Sequence, residues 1–126
     1  MSSASVQIWV LSNDLLLTSR IREGASALDL PCSTITAANI GEILGGPGIL
    51  FVDLDVGVDL ALGIIAQVKH SATQVHICGY GSHVEFDDLR RMKDAGADRV
   101  VARSNLARGL NEILRESIQA IGRQSS

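Results

Sequence analysis

One aspartate closes the most apolar run of the chain, Gly48-Ile49-Leu50-Phe51-Val52-Asp53-Leu54. A run of that kind reads as a strand buried on both faces of a parallel sheet. The carboxyl ends of such strands are where open α/β sheets place their ligand sites. Asp53 therefore stands where chemistry is expected, and its role depends on what the other strand ends bring to it. Arg103 falls at a strand end on the same edge of the sheet, and its guanidinium is expected to take Asp53 bidentately, which a lysine cannot do in the same way. Pairing with Arg103, or capping of nearby backbone amides, is the expected role of Asp53, whereas Asp55, beyond the strand, is expected to be solvated.

A second candidate is Gly79-Tyr80-Gly81-Ser82-His83-Val84. Read as a tight turn, its glycines let backbone amides approach a ligand. A capped helix start beyond it favours an anion, with His83, Arg103 and Ser104 as further donors. The plainer reading is a turn with an exposed His83 and with Tyr80 packed over the pocket. The segment matches neither a dinucleotide-binding glycine loop nor a phosphate loop. Ser82 and His83 are sequence neighbours, and a nucleophile–base–acid set needs partners placed across a fold, so no enzyme activity is expected. The three histidines and two cysteines are scattered and form no metal-ligand pattern. His76 and Cys78 lie in an apolar strand and read as packed residues.

These groups are positioned by alternating strand and helix patterns. Val6 to Leu11 is an apolar strand, followed by Ser12-Asn13-Asp14, residue types that favour a helix N-cap. Leu16, Leu17, Ile21, Ala25 and Leu28 recur at helical spacing. Cys32 to Thr36 is a short polar strand suited to a sheet edge, and Asn39 to Leu44 a brief helix stopped by Gly45-Gly46-Pro47-Gly48. After the strand ending at Asp53, a helix over 58–69 presents Val58, Ala61, Leu62, Ile65 and Val68. The fourth strand is expected over Gln74 to Cys78. Ser82 and Glu85 make a capping box, and Gly96 ends the helix that follows. A fifth strand covers Arg99 to Ala102. Ser104 is expected to cap a last helix bearing Leu106, Leu110, Ile113, Leu114, Ile118 and Ile121. The result is a (βα)5 α/β domain spanning 1–126, with its core over about 6–121. It is expected to be a doubly wound, five-stranded parallel sheet of flavodoxin-like order 2-1-3-4-5, with right-handed crossovers.

Composition excludes several classes. The net charge is −3 and no stretch gathers five or six like charges, which argues against nucleic acid as the main partner. No apolar stretch approaches the roughly 20 residues of a membrane helix, and the first residues carry no basic-then-apolar leader. A cytoplasmic protein is the expectation. With one Trp, one Tyr and two Phe, the core must be mostly aliphatic.

Two pieces of the chain resemble the receiver domains of two-component response regulators, the CheY-like fold. Leu50-Phe51-Val52-Asp53-Leu54 is similar to the strand that bears the phosphoacceptor aspartate. Ala95-Gly96-Ala97-Asp98 through Arg99-Val100-Val101-Ala102-Arg103-Ser104 is similar to the helix end, fifth strand and Lys-Pro of that family. The resemblance implies an acidic pair after the first strand that holds Mg²⁺ with the phosphoacceptor. Those positions fall on Ser12 and Asn13, or on Asn13 and Asp14 after a one-residue shift. It implies a Thr or Ser ending the fourth strand, where this reading puts Gly79. It implies a Lys, a Pro and an aromatic switch residue, found here as Arg103, Ser104 and Val100. Only Asp53 keeps its type.

A carboxylate about 4 Å from a divalent ion is worth up to roughly 8 kcal/mol gross at an effective dielectric of about 20. Losing two such ligands is therefore not neutral. The expectation is a stand-alone degenerate receiver, signalling by protein–protein contact without phosphorylation. It would have no cofactor and no metal, Asp14 and Asp53 being the ligands if Mg²⁺ binds at all. The resemblance places the contact, with a signalling partner or a second copy, on the face of the fourth helix, fifth strand and fifth helix: Leu89, Arg90, Lys93 and residues 105–118. Two alternatives stand beside it. One is a divergent receiver phosphorylated on Asp53. The other is a flavodoxin-like protein binding a small anion or nucleotide at the Gly79–Ser82 turn.

Overall fold

The structure is a computed structural model describing residues 6–45, 47–71, 74–82 and 86–124. Five parallel strands, β1 (Gln7–Leu11), β2 (Cys32–Thr34), β3 (Gly48–Asp53), β4 (Val75–Gly81) and β5 (Arg99–Ala102), form one sheet in the expected order β2-β1-β3-β4-β5. Helices α1 (Leu15–Ala27), α2 (Val58–Ser71), α3 (Phe86–Ala95), α4 (Arg103–Arg108) and α5 (Leu110–Gln124) cover it, with 3-10 helices at Ala37–Gly45 and Leu54–Val56.

Alternate side chains of each strand feed opposite layers, as the period of two requires. Trp9, Leu11, Leu50, Val52 and Ile77 pack with α2 (Ala61, Ile64, Ile65, Val68) and with Met92 of α3. Ile8, Val10, Ile49, Phe51, Cys78 and Tyr80 pack with α1 (Leu17, Ile21, Ala25) and with Leu106, Leu110, Ile113 and Leu114. Every residue of β3 is buried, which explains its unbroken apolar run. The polar β2 lies at the edge, and at three residues it is shorter than its β-branched pattern suggested.

The helices depart from their expected faces in several places. Leu16 does not face the core: it is 80% exposed beside Leu15 at 82%, because the buried stripe runs through Leu17, Ile21 and Ala25, one residue out of phase. Leu28 also lies outside the core, as the C-cap residue of α1. On α2, Ile64 is buried while Val58 is exposed. Gly109 splits the last helix into α4 and α5, and the start of α4 is Arg103, with Ala102 at the N-cap making no side-chain cap. Ser104 is thus inside the first turn and caps nothing.

The end of the fourth strand is also corrected, and this bears on the site. β4 runs on through Gly79, Tyr80 and Gly81, all buried. Gly-Tyr-Gly looks like turn punctuation, but each glycine is a sheet residue, with Gly79 paired to Val52 and Val100 and Gly81 to Ala102. The space a side chain would need at Gly79 is filled by Met92, whose Sδ would stand 2.7 Å from a Cβ. Tyr80 is buried in register with Asp53.

Candidate functional site

The parallel register brings four strand ends together at one edge. Ser12 follows β1, Asp53 ends β3, Ser82 follows β4 and Arg103 follows β5. Asp53 is 2% exposed. Its Oδ2 accepts from the Ser12 hydroxyl at 2.7 Å, and its Oδ1 from the Asp55 amide at 2.9 Å, which caps the 3-10 turn Leu54–Val56. Ser12 Oγ in turn accepts from the Asp14 amide at 3.0 Å. Asp14 is the N-cap of α1 and accepts from the Leu17 amide at 3.1 Å, the arrangement that side-chain caps use to satisfy first-turn amides.

Arg103 joins all of these. Its Nη2 donates to both Asp53 oxygens, at 3.0 and 2.9 Å, and to Asp55 Oδ2 at 2.7 Å. Its Nη1 donates to Asp14 Oδ2, and its Nε to Ser82 Oγ at 3.1 Å. The Ser82 hydroxyl donates to Asp55 Oδ2 at 2.6 Å. The guanidinium carbon lies 5.5 Å from the centroid of the Tyr80 ring, within cation–π range. Arg103 thus does reach Asp53, but not as a two-pronged fork: its donors are divided among three carboxylates and one hydroxyl.

Electrostatics follow from that division. Asp14 is held below the usual carboxylate range, first by the Leu17 amide and then by Arg103, with burial opposing. Asp55 is held down first by the Ser82 hydroxyl and also by Arg103, again against burial. Burial works against the charge on Arg103, but its bonds to Asp53 and Asp55 outweigh it and raise the guanidinium further. Burial also raises the Tyr80 phenol, and it pushes the Cys78 thiol up to about 12, so neither is a ready nucleophile.

The pocket expected from the sequence is therefore brought together in part. Ser12, Asp14, Asp53, Ser82 and Arg103 converge. Asn13 and Ser104 are exposed and make no hydrogen bond to the cluster. Gly79 is a strand residue packed under Met92, so the hydroxyl residue beyond the fourth strand is Ser82. An amide-lined anion turn at Gly79–Ser82 is likewise overturned for its first three residues. His83 and Glu85, and with them the capping box, lie outside the described residues. Asp55 is exposed, as expected, and it also bonds to Ser82 and Arg103. The signal available was its spacing of two from Asp53, which lets a capped 3-10 turn fold it back. Among the described residues no group of three or more acid, His or Cys side chains is placed to hold a metal ion. No helix of the described residues is long and apolar enough to cross a membrane.

No protein-family model matches the chain, and no curated protein matches it in sequence. Solved structures do match in shape. A CheY-like response regulator receiver domain from Methanospirillum hungatei superposes with a TM-score of 0.82 at 11% identity, covering 96% of this chain and 99% of that one. A two-component response regulator from Clostridium difficile gives 0.76 at 15% identity, covering 97% and 99%. A response regulator from Thermotoga maritima gives 0.74 at 13%, covering 92% and 99%. At such identities the likeness establishes the fold, which is that of CheY-like receiver domains.

Proposed function

We propose that this chain is a degenerate receiver of two-component signalling, acting through protein–protein contact without phosphorylation of Asp53. One observation carries the reading: the Arg103 guanidinium sits at the point on which Asp14, Asp53 and Asp55 converge. Both Asp53 oxygens already accept two hydrogen bonds each, so neither is open to an incoming phosphorus. Mg²⁺ demands near-octahedral oxygen ligands at 2.0–2.1 Å. In this reading it does not fit, because the carboxylate oxygens it would need are bonded to a fixed cation that would repel it. Three carboxylates against one guanidinium leave the cluster formally negative, and a phosphoryl group would add about −1.5 to −2 more. Arg103 plays the part of a tethered, permanent counter-cation, holding four strand ends in one arrangement.

In this reading the contact surface is the β5 face, and a cavity of about 550 Å³ along β5 supports it. Val100, Val101 and Ile113 give it an apolar floor, and Lys93, Arg99 and Glu112 a charged rim. An apolar centre within a polar rim is the usual make-up of a protein interface. A signalling partner or a second copy of the chain fits this face.

Incubation with acetyl phosphate and Mg²⁺, followed by intact-mass measurement, is expected to give no phosphoryl adduct on the wild-type chain. An adduct that disappears in Asp53→Ala would establish the divergent phosphoacceptor instead.

A further inference from the structure

We infer that the chain pairs with a second copy of itself through the groove between α1 and α4–α5. Two adjoining cavities make up the groove. One, of about 170 Å³, lies between Leu16, Leu17 and Ala107 beside the Arg103 cluster. The other, of about 630 Å³, runs on between Arg20 and Glu23 of α1 and Arg108, Glu112 and Arg115 of α4–α5. Arg20 and Ala107 border both, so the groove is continuous. None of this rests on whether Asp53 takes a phosphoryl group.

The first observation is that the charges on its walls have no partner of opposite sign. Among the described residues Arg20, Glu23, Glu112 and Arg115 make no ion pair, and Arg108 donates only to the neutral Asn105, at 2.8 Å. All five are exposed. The second is their order. α1 and α5 run side by side away from the carboxyl edge of the sheet, with Gly24 against Leu110, Asn111 and Leu114. That contact sets Glu23 beside Glu112 and, about one turn nearer the carboxyl edge, Arg20 beside Arg108. Like charges therefore sit beside like, in a basic band followed by an acidic band. The complement of such a surface is the same two bands in reverse order. A two-fold axis across the helices supplies it from an identical chain, laying Arg20 of each copy on Glu23 of the other, and the contact closes as a dimer. Arg115, a turn further on, falls toward the head of the other copy's groove, where its stem can cover apolar surface. The third observation is that head itself. Leu15 and Leu16 are 82% and 80% exposed there, and burying such area favours association. A nucleic acid or a purely acidic peptide would meet the acidic band with its own charge.

The test is sedimentation equilibrium of the whole chain at low salt, at concentrations up to about 1 mM, the weak end of measurable association. A reversible dimer is expected, and it should weaken as salt is added, because exposed charges are screened. Glu112 also borders the β5 face, so the variants are made on α1. Arg20→Glu and Glu23→Arg should each raise the dissociation constant about tenfold or more, since each sets like charges face to face twice across the axis. Both positions are exposed, so neither substitution disturbs the core. An equimolar mixture of the two variants should recover the dimer, because one copy then brings two acids and the other two bases. A chain that stays monomeric overturns the inference. So does a dimer that neither variant weakens, as one formed through the β5 face would be, or one that the mixture does not restore.

Discussion

Arg103→Ala should destabilise the folded chain by about 3 kcal/mol at neutral pH, as removal of one partner of a buried ion pair does. The loss sits at the low end of that range because the Arg103 side chain is 22% exposed, so water can partly replace it. What remains is a carboxylate at 2% exposure with no counter-charge. Denaturant melts of Arg103→Ala, Asp53→Asn and the double variant separate the contributions. The double variant should be more stable than Arg103→Ala alone, since a neutral amide can stay buried on the Ser12 and Asp55 bonds. The pH dependence has a defined sign. Asp14 and Asp55 are depressed below their ordinary 3.8 in the folded state. Groups of that kind contribute stability above the unfolded pKa, and the contribution is lost as pH falls through the lower folded value. The gap between wild type and Arg103→Ala should therefore be full near neutrality and narrow below about pH 4. A gap that widens in acid would contradict the arrangement.

Gly48→Ala should cost about 3 kcal/mol, the upper end for forcing extra volume into a packed core. A Cβ there would lie 2.1 Å from Trp9 Cζ3, 2.6 Å from Trp9 Cη2 and 2.7 Å from the Gln7 carbonyl oxygen. The indole is buried and could yield only by leaving its layer. The carbonyl belongs to the neighbouring strand, with Gly48 in register with Gln7. Trp9→Leu in the same chain removes the ring contacts but not the carbonyl contact, so it should relieve part of the loss and not all. Thermal melts of the single and double variants read this directly. A fully stable Gly48→Ala would mean that β1 and β3 are not held at this spacing.

The fold was legible in the sequence because β3 and the α5 stripe announce their surroundings. A run buried on both faces has no room for polar residues, and Leu110, Ile113, Leu114 and Ile121 repeat at helical spacing. Asp53, Arg103 and their meeting were also legible, since parallel strands carry their ends to one edge. What stayed hidden was local. The two glycines around Tyr80 look like a turn because the sequence does not reveal that Met92 fills the space above Gly79. That misplaced the end of β4 and concealed Ser82 as its hydroxyl. Asp55 is the surface acid it looked like, but its bonds to Ser82 and Arg103 stayed hidden because they depend on a turn of three residues. Leu16 looked like core because composition alone cannot tell which side of a helix start faces the sheet.

In the proposed reading Arg103 closes the Asp53 pocket to Mg²⁺ and a phosphoryl group. Amide NMR spectra recorded with Mg²⁺ and beryllofluoride, a phosphoryl mimic, test it most directly. No change is expected at Ser12, Asp53, Ser82 or Arg103. Saturable shifts at those amides that vanish in Asp53→Ala would contradict it.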